Sequence, residues 1–289
     1  MKSLISARLP ALTDLAPRLR RGLRSPAATI GAAVLLLVVL VALFAPWFAP
    51  TDPLRQDIAV RLRPPGPGHW LGTDNLGRDI LSRLIYGARP TLGIAVLVLA
   101  AAAPIGLLIG IVAGYVGGWT ERALMRFTDI VLAFPQLVLA LAFAGLLGAG
   151  TFNGAVAVAL TIWPSYARQA RTETSAIRDS DYLAAARMLG IRGGRLLWGH
   201  VLPICLPFVY VRVALDMAAT ILSLSSLGFL GLGVQPPTPE WGAMVADGSK
   251  VIFDQWWVAA VPGAAILLVC VAFNLLADGL RDLGDPRHG

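Results

Sequence analysis

The chain has 289 residues, of which 56% are hydrophobic and 14% charged, and its mean hydropathy is +0.70. This composition is typical of a helical membrane protein and excludes an ordinary water-soluble domain. The net charge of +7 comes almost wholly from arginine, since Lys2 and Lys250 are the two lysines. In a membrane chain such an excess is typical of cytoplasmic loops, and no aromatic-interleaved basic patch points to nucleic acid.

The chain begins with an arginine-rich segment that is followed by an apolar run. Residues 27–48 supply about the ~20 apolar residues that a bilayer-crossing helix needs. A cleaved signal peptide is excluded because the run is too long and lacks a small-x-small cleavage site. We therefore predict a cytoplasmic tail over residues 1–26 and a retained first transmembrane helix over residues 27–48.

A polar segment with a proline cluster follows, over residues 49–90. The order of the spans places this segment on the outer side of the membrane. Its arginines do not favour that side, but the charge bias is weaker in longer loops, so the span order decides. Its second part has one apolar helical face, which predicts a short helix lying on the membrane surface and seating the next span. The residues of that face are Ile80, Leu81, Leu84 and Ile85.

Residues 91–280 are predicted to form a five-helix membrane core, and residues 281–289 a second cytoplasmic tail. The first core span has glycines at near four-residue spacing, which favours close helix packing. These glycines are Gly93, Gly106, Gly110 and Gly114. The five predicted spans are residues 91–115, 127–147, 154–167, 207–232 and 258–276.

A long, polar, arginine-rich loop, residues 168–203, interrupts the apolar spans. Asp179 or Ser180 can cap the N-terminus of a helix. Residues 182–189 are a good helical run, and Gly190 is a natural residue to end it. The pattern predicts a short helix between two spans.

The second part of this loop contains a glycine break. Gly193 and Gly194 interrupt the chain, and residues 195–202 can form a second short helix that Pro203 ends. Two short helices joined by a glycine hinge form a compact knob that suits docking into a groove of another protein. The alternative interpretation is a solvated amphipathic connector.

The loop also has the pattern of a known family. AAARMLG followed by His-x-Leu-Pro resembles the cytoplasmic EAA loop of permease subunits of bacterial ABC importers. Two positions depart from the family pattern, with Ala184 in place of the usual Glu and Ile204 in place of the usual Asn. His200 aligns with a common histidine, which we interpret as a capping or packing residue. The matching residues are Ala185, Ala186, Gly190, Leu202 and Pro203.

A second and more specific resemblance lies in the outer segment. HWLGTDNLGRDILSRLIYGARPTL closely resembles a signature of dipeptide, oligopeptide and nickel importer permeases. The segments GGWTERALMRFTD and GLGVQPPTPEWG are similar to the same branch. The matching residues of the signature are Gly72, Thr73, Asp74, Gly77, Arg78, Asp79, Ser82, Arg83, Gly87 and Arg89.

The resemblance implies an all-α membrane protein of the type I ABC importer permease fold, with six transmembrane helices and a cytoplasmic coupling-helix loop. It implies a bacterial inner-membrane location with both termini in the cytoplasm. The implied partners are a second homologous permease, two cytoplasmic ATP-binding subunits, an extracytoplasmic substrate-binding protein and membrane lipid, without nucleic acid. ATP and Mg would be bound by the ATPase partners, so no cofactor is expected in this chain.

The implied function is import of dipeptides or oligopeptides by alternating access. Nickel, glutathione-like compounds and other small solutes are alternatives within the same machinery, and a secondary transporter or channel is the alternative from another class. The residues expected to couple to the ATPases are Asp181, Tyr182, Ala184, Ala185, Ala186, Arg187 and Gly190. Those expected to shape the loop are Gly193, His200, Leu202 and Pro203.

The sequence contains no recognised catalytic motif of its own. A P-loop needs Gly-Lys-Ser/Thr, whereas Lys250 is followed by Val251 and Lys2 has no room before it. The three histidines are far apart and form no His-Glu-x-x-His site, and no nucleophile elbow is present. We therefore predict a chain that is not an enzyme and that binds no catalytic metal.

The fifth predicted span of the chain, residues 207–232, has two polar features. Arg212 and Asp216 lie four residues apart and can pair on one helix face, which we interpret first as a structural ion pair. Small and hydroxyl residues further along either line a wet path or allow close helix packing. These candidate path residues are Ser223, Ser225, Ser226 and Gly228.

Overall fold

The computed structural model describes residues 25–282, which form α-helices and loops without a named strand in that range. The predicted all-helical class is confirmed for this part of the chain, whereas the two predicted tails lie almost entirely outside it. The helices are α1 (Pro26–Leu43), α2 (Ala45–Phe48), α3 (Ile80–Val116), α4 (Gly118–Leu132), α5 (Gln136–Leu147), α6 (Thr151–Ile177), α7 (Asp181–Met188), α8 (Gly194–Leu196), α9 (Leu202–Phe229), α10 (Trp241–Ser249) and α11 (Trp257–Asp282).

Helix α3 is the longest element, with 37 residues. It begins where Asp79 accepts a hydrogen bond from the Ser82 backbone N–H at 2.8 Å, which satisfies one of the free donors of the first turn. The sequence predicted a surface helix up to residue 90 and a separate span after it. The structure has one helix through Pro90, so the predicted surface helix is the first part of the span.

Helices α3 and α6 pack side by side in the same direction through the predicted glycine seam. A Cβ atom at Gly106, Gly110 or Gly114 would collide with a backbone carbonyl oxygen of α6. Only glycine allows the two backbones to approach this closely, as in other small-residue membrane interfaces. Gly93, at the start of the seam, meets nothing within 4 Å and does not take part.

The predicted third span is bent in the structure. Helices α4 and α5 meet at an angle of 89°, because Pro135 cannot continue a helix and stands directly before α5. Four helices in the described chain are long and apolar enough to cross a membrane, or five if the bent pair is one span. The remaining predicted span is α6, whose apolar part is short.

The described ends of the chain lie at the same end of the bundle. Helix α1 runs antiparallel to α11, with Gly31 packed against Ala272 and Leu275. The end with these termini also carries α7, and we call it the α7 end. The opposite end carries residues 49–79 and α10, and we call it the α10 end.

Candidate functional site

Helix α7 is short and closed at both termini. Ser180 accepts a hydrogen bond from the Leu183 N–H at its start. At its other end the Gly190 N–H donates to the Arg187 carbonyl and the Ile191 N–H donates to the Ala186 carbonyl. This is the Schellman arrangement, and Gly190 has the positive φ of 82° that it requires. The predicted helix and its glycine stop are therefore present.

The inner side of α7 is fixed on the bundle. Leu183 and Ala186 are buried. The Arg187 guanidinium donates to the Arg178 carbonyl at 3.0 Å and stands 5.5 Å from the centre of the Tyr115 ring. Helix α7 is thus tied to the ends of both α3 and α6.

The outer side of α7 faces solvent and is partly apolar. Met188 is 89% exposed and Leu189 is 81% exposed. Of the predicted coupling residues, Ala186 is buried, and Ala184 and Arg187 are partly buried. The exposed ones are Asp181, Tyr182, Ala185 and Gly190. These exposed residues and the two apolar side chains form the outer surface of α7.

A polar contact joins α7 to the start of α9. The Tyr182 hydroxyl and His200 Nδ1 are 2.7 Å apart. His200 lies in a π-helical turn, Leu197–Val201, which follows α8 and leads directly into α9. Gly193 has a positive φ of 57°, a backbone conformation that favours glycine, and its role as a hinge stays a prediction.

The role predicted for Pro203 differs from its position. Leu202 and Pro203 open helix α9, where proline is tolerated because the first backbone N–H groups have no helical partner. The sequence had predicted that Pro203 ends a helix. The second short helix of the loop therefore continues into the span.

The signature residues of the outer segment form a buried polar cluster at the α10 end. The Asp74 carboxylate lies 2.6 Å from Arg78 Nε and 3.4 Å from Arg83 Nε, and all three residues are buried. Asp79 accepts from both the N–H and the hydroxyl group of Ser82. Paired buried charges of this kind fix one arrangement of the loop, because removing one partner leaves an uncompensated charge.

Three further signature residues shape the backbone beside this cluster. The Thr73 hydroxyl donates to the Val60 carbonyl and accepts from the Arg63 N–H. Gly72 and Gly77 have φ values of 79° and 71°, which other residues adopt only with strain. The signature therefore ties residues 57–83 into one unit at the start of α3.

Helix α10 is attached to α3 through a residue that the sequence analysis did not single out. Buried Glu240 accepts hydrogen bonds from the N–H groups of Gly242 and Ala243 and from the Thr91 hydroxyl. Burial raises the pKa of the Glu240 carboxyl, and these hydrogen bonds oppose the shift. In the sequence, Glu240 stands directly before a helix and after a run of prolines, and this position could have indicated its capping role. Trp241 Nε1 also donates to the Leu84 carbonyl at 2.9 Å.

The structure divides the candidate path residues of α9 into two pairs. Ser225 and Gly228 are buried, and Gly228 packs against Glu240 and the start of α10. Ser223 and Ser226 lie on a partly exposed face, where each hydroxyl donates to a carbonyl of its own helix. Among residues 25–282, no group of three His, Cys, Asp or Glu side chains is arranged to hold a metal ion.

The chain is similar to transport permeases over most of its length. Residues 106–288 match the family described as binding-protein-dependent transport system inner membrane component. Residues 18–65 match the N-terminal transmembrane domain of oligopeptide transport permease C. The chain is 43% identical over 265 residues to the probable D,D-dipeptide transport system permease protein of Escherichia coli K12, covering 92% of this chain and 89% of that protein.

Two further relatives show the same extent of similarity. Identity is 44% over 263 residues to the di/tripeptide transport system permease protein of Pseudomonas aeruginosa UCBPP-PA14, covering 89% of this chain and 87% of that protein. Identity is 38% over 288 residues to the glutathione transport system permease protein of Pectobacterium atrosepticum SCRI 1043, covering 97% of this chain and 96% of that protein.

A solved structure supports the fold. The MetNI methionine ABC transporter, in an inward-facing conformation, contains a chain that aligns with a TM-score of 0.56 at 15% identity. The alignment covers 70% of this chain and 97% of that one. At this identity the similarity shows a shared fold and nothing finer.

Proposed function

Because the chain belongs to the family of binding-protein-dependent transport system inner membrane components, we propose that it is one of two permeases in an ATP-driven importer of small peptides. Members of this family are the non-enzymatic membrane subunits of ABC importers. The proposed assembly contains this chain, a second homologous permease, two cytoplasmic ATPases that bind ATP and Mg, and an extracytoplasmic binding protein.

Peptides are the proposed substrates because of the names that the relatives carry. Two of the relatives above are dipeptide or di/tripeptide permeases, and each is matched over more than four-fifths of its length. The glutathione permease transports, by its name, a peptide-like compound. Small peptides are the class that these names share, and nickel has no such support among them.

The orientation we propose places the α7 end in the cytoplasm. The basic segment before α1 favours the cytoplasmic side, and the described ends of α1 and α11 lie at the α7 end. The α10 end then faces outward. There the buried cluster around Asp74 and the loop at residues 236–242 would present a firm surface to the binding protein or the sister permease.

In this proposal α7 is the helix that docks on an ATPase. The observation that carries it is the contrast between the two sides of α7, because the inner side is tied to α3 and α6 while Met188 and Leu189 are exposed. Exposed apolar side chains at a water-facing end are typical of a protein contact. Closure of the ATPase pair upon ATP binding would move α7, and the ties would pass this movement to the spans.

The test is capture of the tagged chain from detergent-solubilised membranes of its host. We expect a second permease and two P-loop ATPases to co-purify. In Ala185→Glu, a charge is placed on the outer surface of α7 without disturbing a buried residue, and the ATPases should be lost while the second permease remains.

The matched control is Ala123→Glu, which makes the same change at an exposed position of α4. This variant should retain the ATPases. Retention of the ATPases by the Ala185→Glu variant would contradict docking through α7. Recovery of the wild-type chain alone, or as a homo-oligomer, would contradict the proposed assembly.

A further inference from the structure

An ion pair lies on α9, in the first part of its predicted membrane span. Arg212 Nε donates to the Asp216 carboxylate at 2.9 Å, and the two side chains are 37% and 14% exposed. Arg212 is five residues from the start of the predicted span at residue 207, or about 7.5 Å at 1.5 Å per residue. Tyr166, which lies beside the pair, is the second-last residue of the predicted span 154–167. The pair therefore stands within the membrane, in the half nearer the α7 end.

The side of α9 that carries the pair also carries two serines, with the exposed Ala219 between them and the pair. At 3.6 residues per turn, Arg212, Asp216, Ser223 and Ser226 fall on one stripe that runs toward the α10 end. Three exposed apolar residues of α9 fall on a neighbouring face, whereas exposed Tyr210 lies on the side opposite to the pair. The three are Leu215, Leu222 and Phe229.

The charge of the pair limits what it can face. Charged side chains within a span face a bundle interior or a water-filled cavity, because contact with lipid is costly. Arg212 is 37% exposed in this chain, so its open side is available to water or to a passing solute.

A buried hydroxyl group borders the pair from the facing helix. Tyr166 of α6 is fully buried, and its hydroxyl group makes no hydrogen bond of normal geometry within the described chain. Arg212 stands 6.0 Å from the centre of the Tyr166 ring, and the Tyr166 hydroxyl interacts with the Asp216 carboxylate through charge and a hydrogen-bonding contact. Tyr166 therefore positions the pair from the facing helix.

We propose that Arg212 and Asp216 form a passing site for the peptide zwitterion, with Arg212 receiving its carboxylate and Asp216 its ammonium group. This inference rests on the proposed function and names the substrate contacts within it. Peptides of varied sequence share only their main chain and two charged ends. A path that accepts many side chains can therefore recognise them through those ends.

The spacing of the two residues fits the shortest peptides. Four helical residues separate them by about 6 Å along the axis. A fully extended dipeptide spans at most about 7 Å. In the empty path the two side chains neutralise one another, and a passing zwitterion would exchange this pair for two equivalent pairs. Such an exchange keeps binding weak, as conduction through a site requires.

The test measures uptake into proteoliposomes that contain the complete importer and its binding protein. The substrates are dialanine, N-acetyl-dialanine and dialanine amide. Arg212→Gln should lower uptake of dialanine about tenfold relative to the wild type, and it should leave uptake of the amide unchanged. Asp216→Asn should lower uptake of dialanine similarly and spare the N-acetyl peptide. For each substrate, uptake by the variant importer is divided by uptake by the wild-type importer. Both importers use the same binding protein, so the selectivity of that protein cancels in this ratio.

The double variant Arg212→Gln/Asp216→Asn separates recognition from structural pairing. It leaves no unpaired charge, so a purely structural role predicts recovery of dialanine uptake. The proposed site predicts that the double variant is at least as defective as either single variant. Recovery, or an equal loss for all three substrates, would overturn the inference. A wild-type importer that moves none of the three peptides would instead contradict the proposed function itself.

Discussion

At the scale of single residues, backbone conformation and burial decide what each position tolerates. Gly190 has a positive φ but open space around its α-carbon, whereas Glu240 is buried among hydrogen-bond donors. Substitution at Gly190 therefore tests the backbone alone. A change at Glu240 tests the balance between burial of a charge and its hydrogen bonds.

Replacement of Gly190 by valine should uncouple ATP hydrolysis from uptake. A β-branched side chain in the left-handed region costs roughly 1–2 kcal/mol, which is enough to change the end of α7 without unfolding the bundle. We expect peptide uptake per ATP hydrolysed to fall severalfold in proteoliposomes. Gly190→Asn is the control, since asparagine tolerates this conformation. Normal uptake with tight coupling in Gly190→Val would count against α7 as the docking helix.

Stability should depend on the protonation of Glu240. Because burial raises its folded-state pKa, this carboxyl contributes most to stability below its unfolded pKa of about 4.5, and the contribution is lost as the pH rises through the folded value. The difference in apparent Tm between the wild type and Glu240→Gln should therefore fall from pH 4 to pH 8. A difference that grows with pH would mean that the donors at the start of α10 outweigh burial.

At the scale of elements, the α3–α6 pair is the main contact of the bundle. Three glycines remove side chains from the contact, so the backbones themselves touch. Packing of this kind is specific, because one added methyl group has no space to enter. The pair therefore holds one relative position.

Gly110→Val should separate α3 from α6. Its new Cβ would meet the Ala167 carbonyl oxygen, which is backbone and cannot turn away. We expect little folded protein on size-exclusion chromatography in detergent. Gly93→Val introduces the same residue into the same helix, where nothing lies within 4 Å, and should elute as the wild type. If both variants eluted as the wild type, the contact between α3 and α6 would be able to accommodate the added side chain.

At the scale of the whole molecule, both described chain ends share the α7 end, which makes the orientation testable. Cys205 and Cys270 are buried, so a new surface cysteine can be labelled with little background. In intact cells, a membrane-impermeant maleimide should label Thr238→Cys at the α10 end and leave Leu189→Cys unlabelled until the membrane is opened. The reverse pattern would show that the proposed orientation is inverted.

Much of the architecture follows from apolar run length. The first span was predicted over residues 27–48, where α1 and α2 lie, and the last over residues 258–276, where α11 lies. Apolar runs of this length are long enough to cross a bilayer as helices, so the sequence indicates them directly. The 89° bend before α5 was not predicted, since Pro135 stands within an apolar run and proline alone does not fix an angle.

The candidate site was less predictable than the spans. Helix α7 and its glycine stop follow from local capping chemistry, so the sequence was sufficient for them. The serines of α9 could not be separated, because Ser225 and Gly228 are covered by α10, which lies far along the chain. Burial set by a distant element has no local signature.

The length of α3 has a mechanical consequence. Its 37 residues make a rod of about 55 Å, which begins at the locked cluster around Asp74 and ends beside Tyr115, under Arg187. A rod held at one end amplifies rotation, so a tilt of about 10° displaces its far tip by about 10 Å. Because the pivot lies at the cluster around Asp74, such a tilt would leave the outer surface in place and concentrate the displacement beside α7.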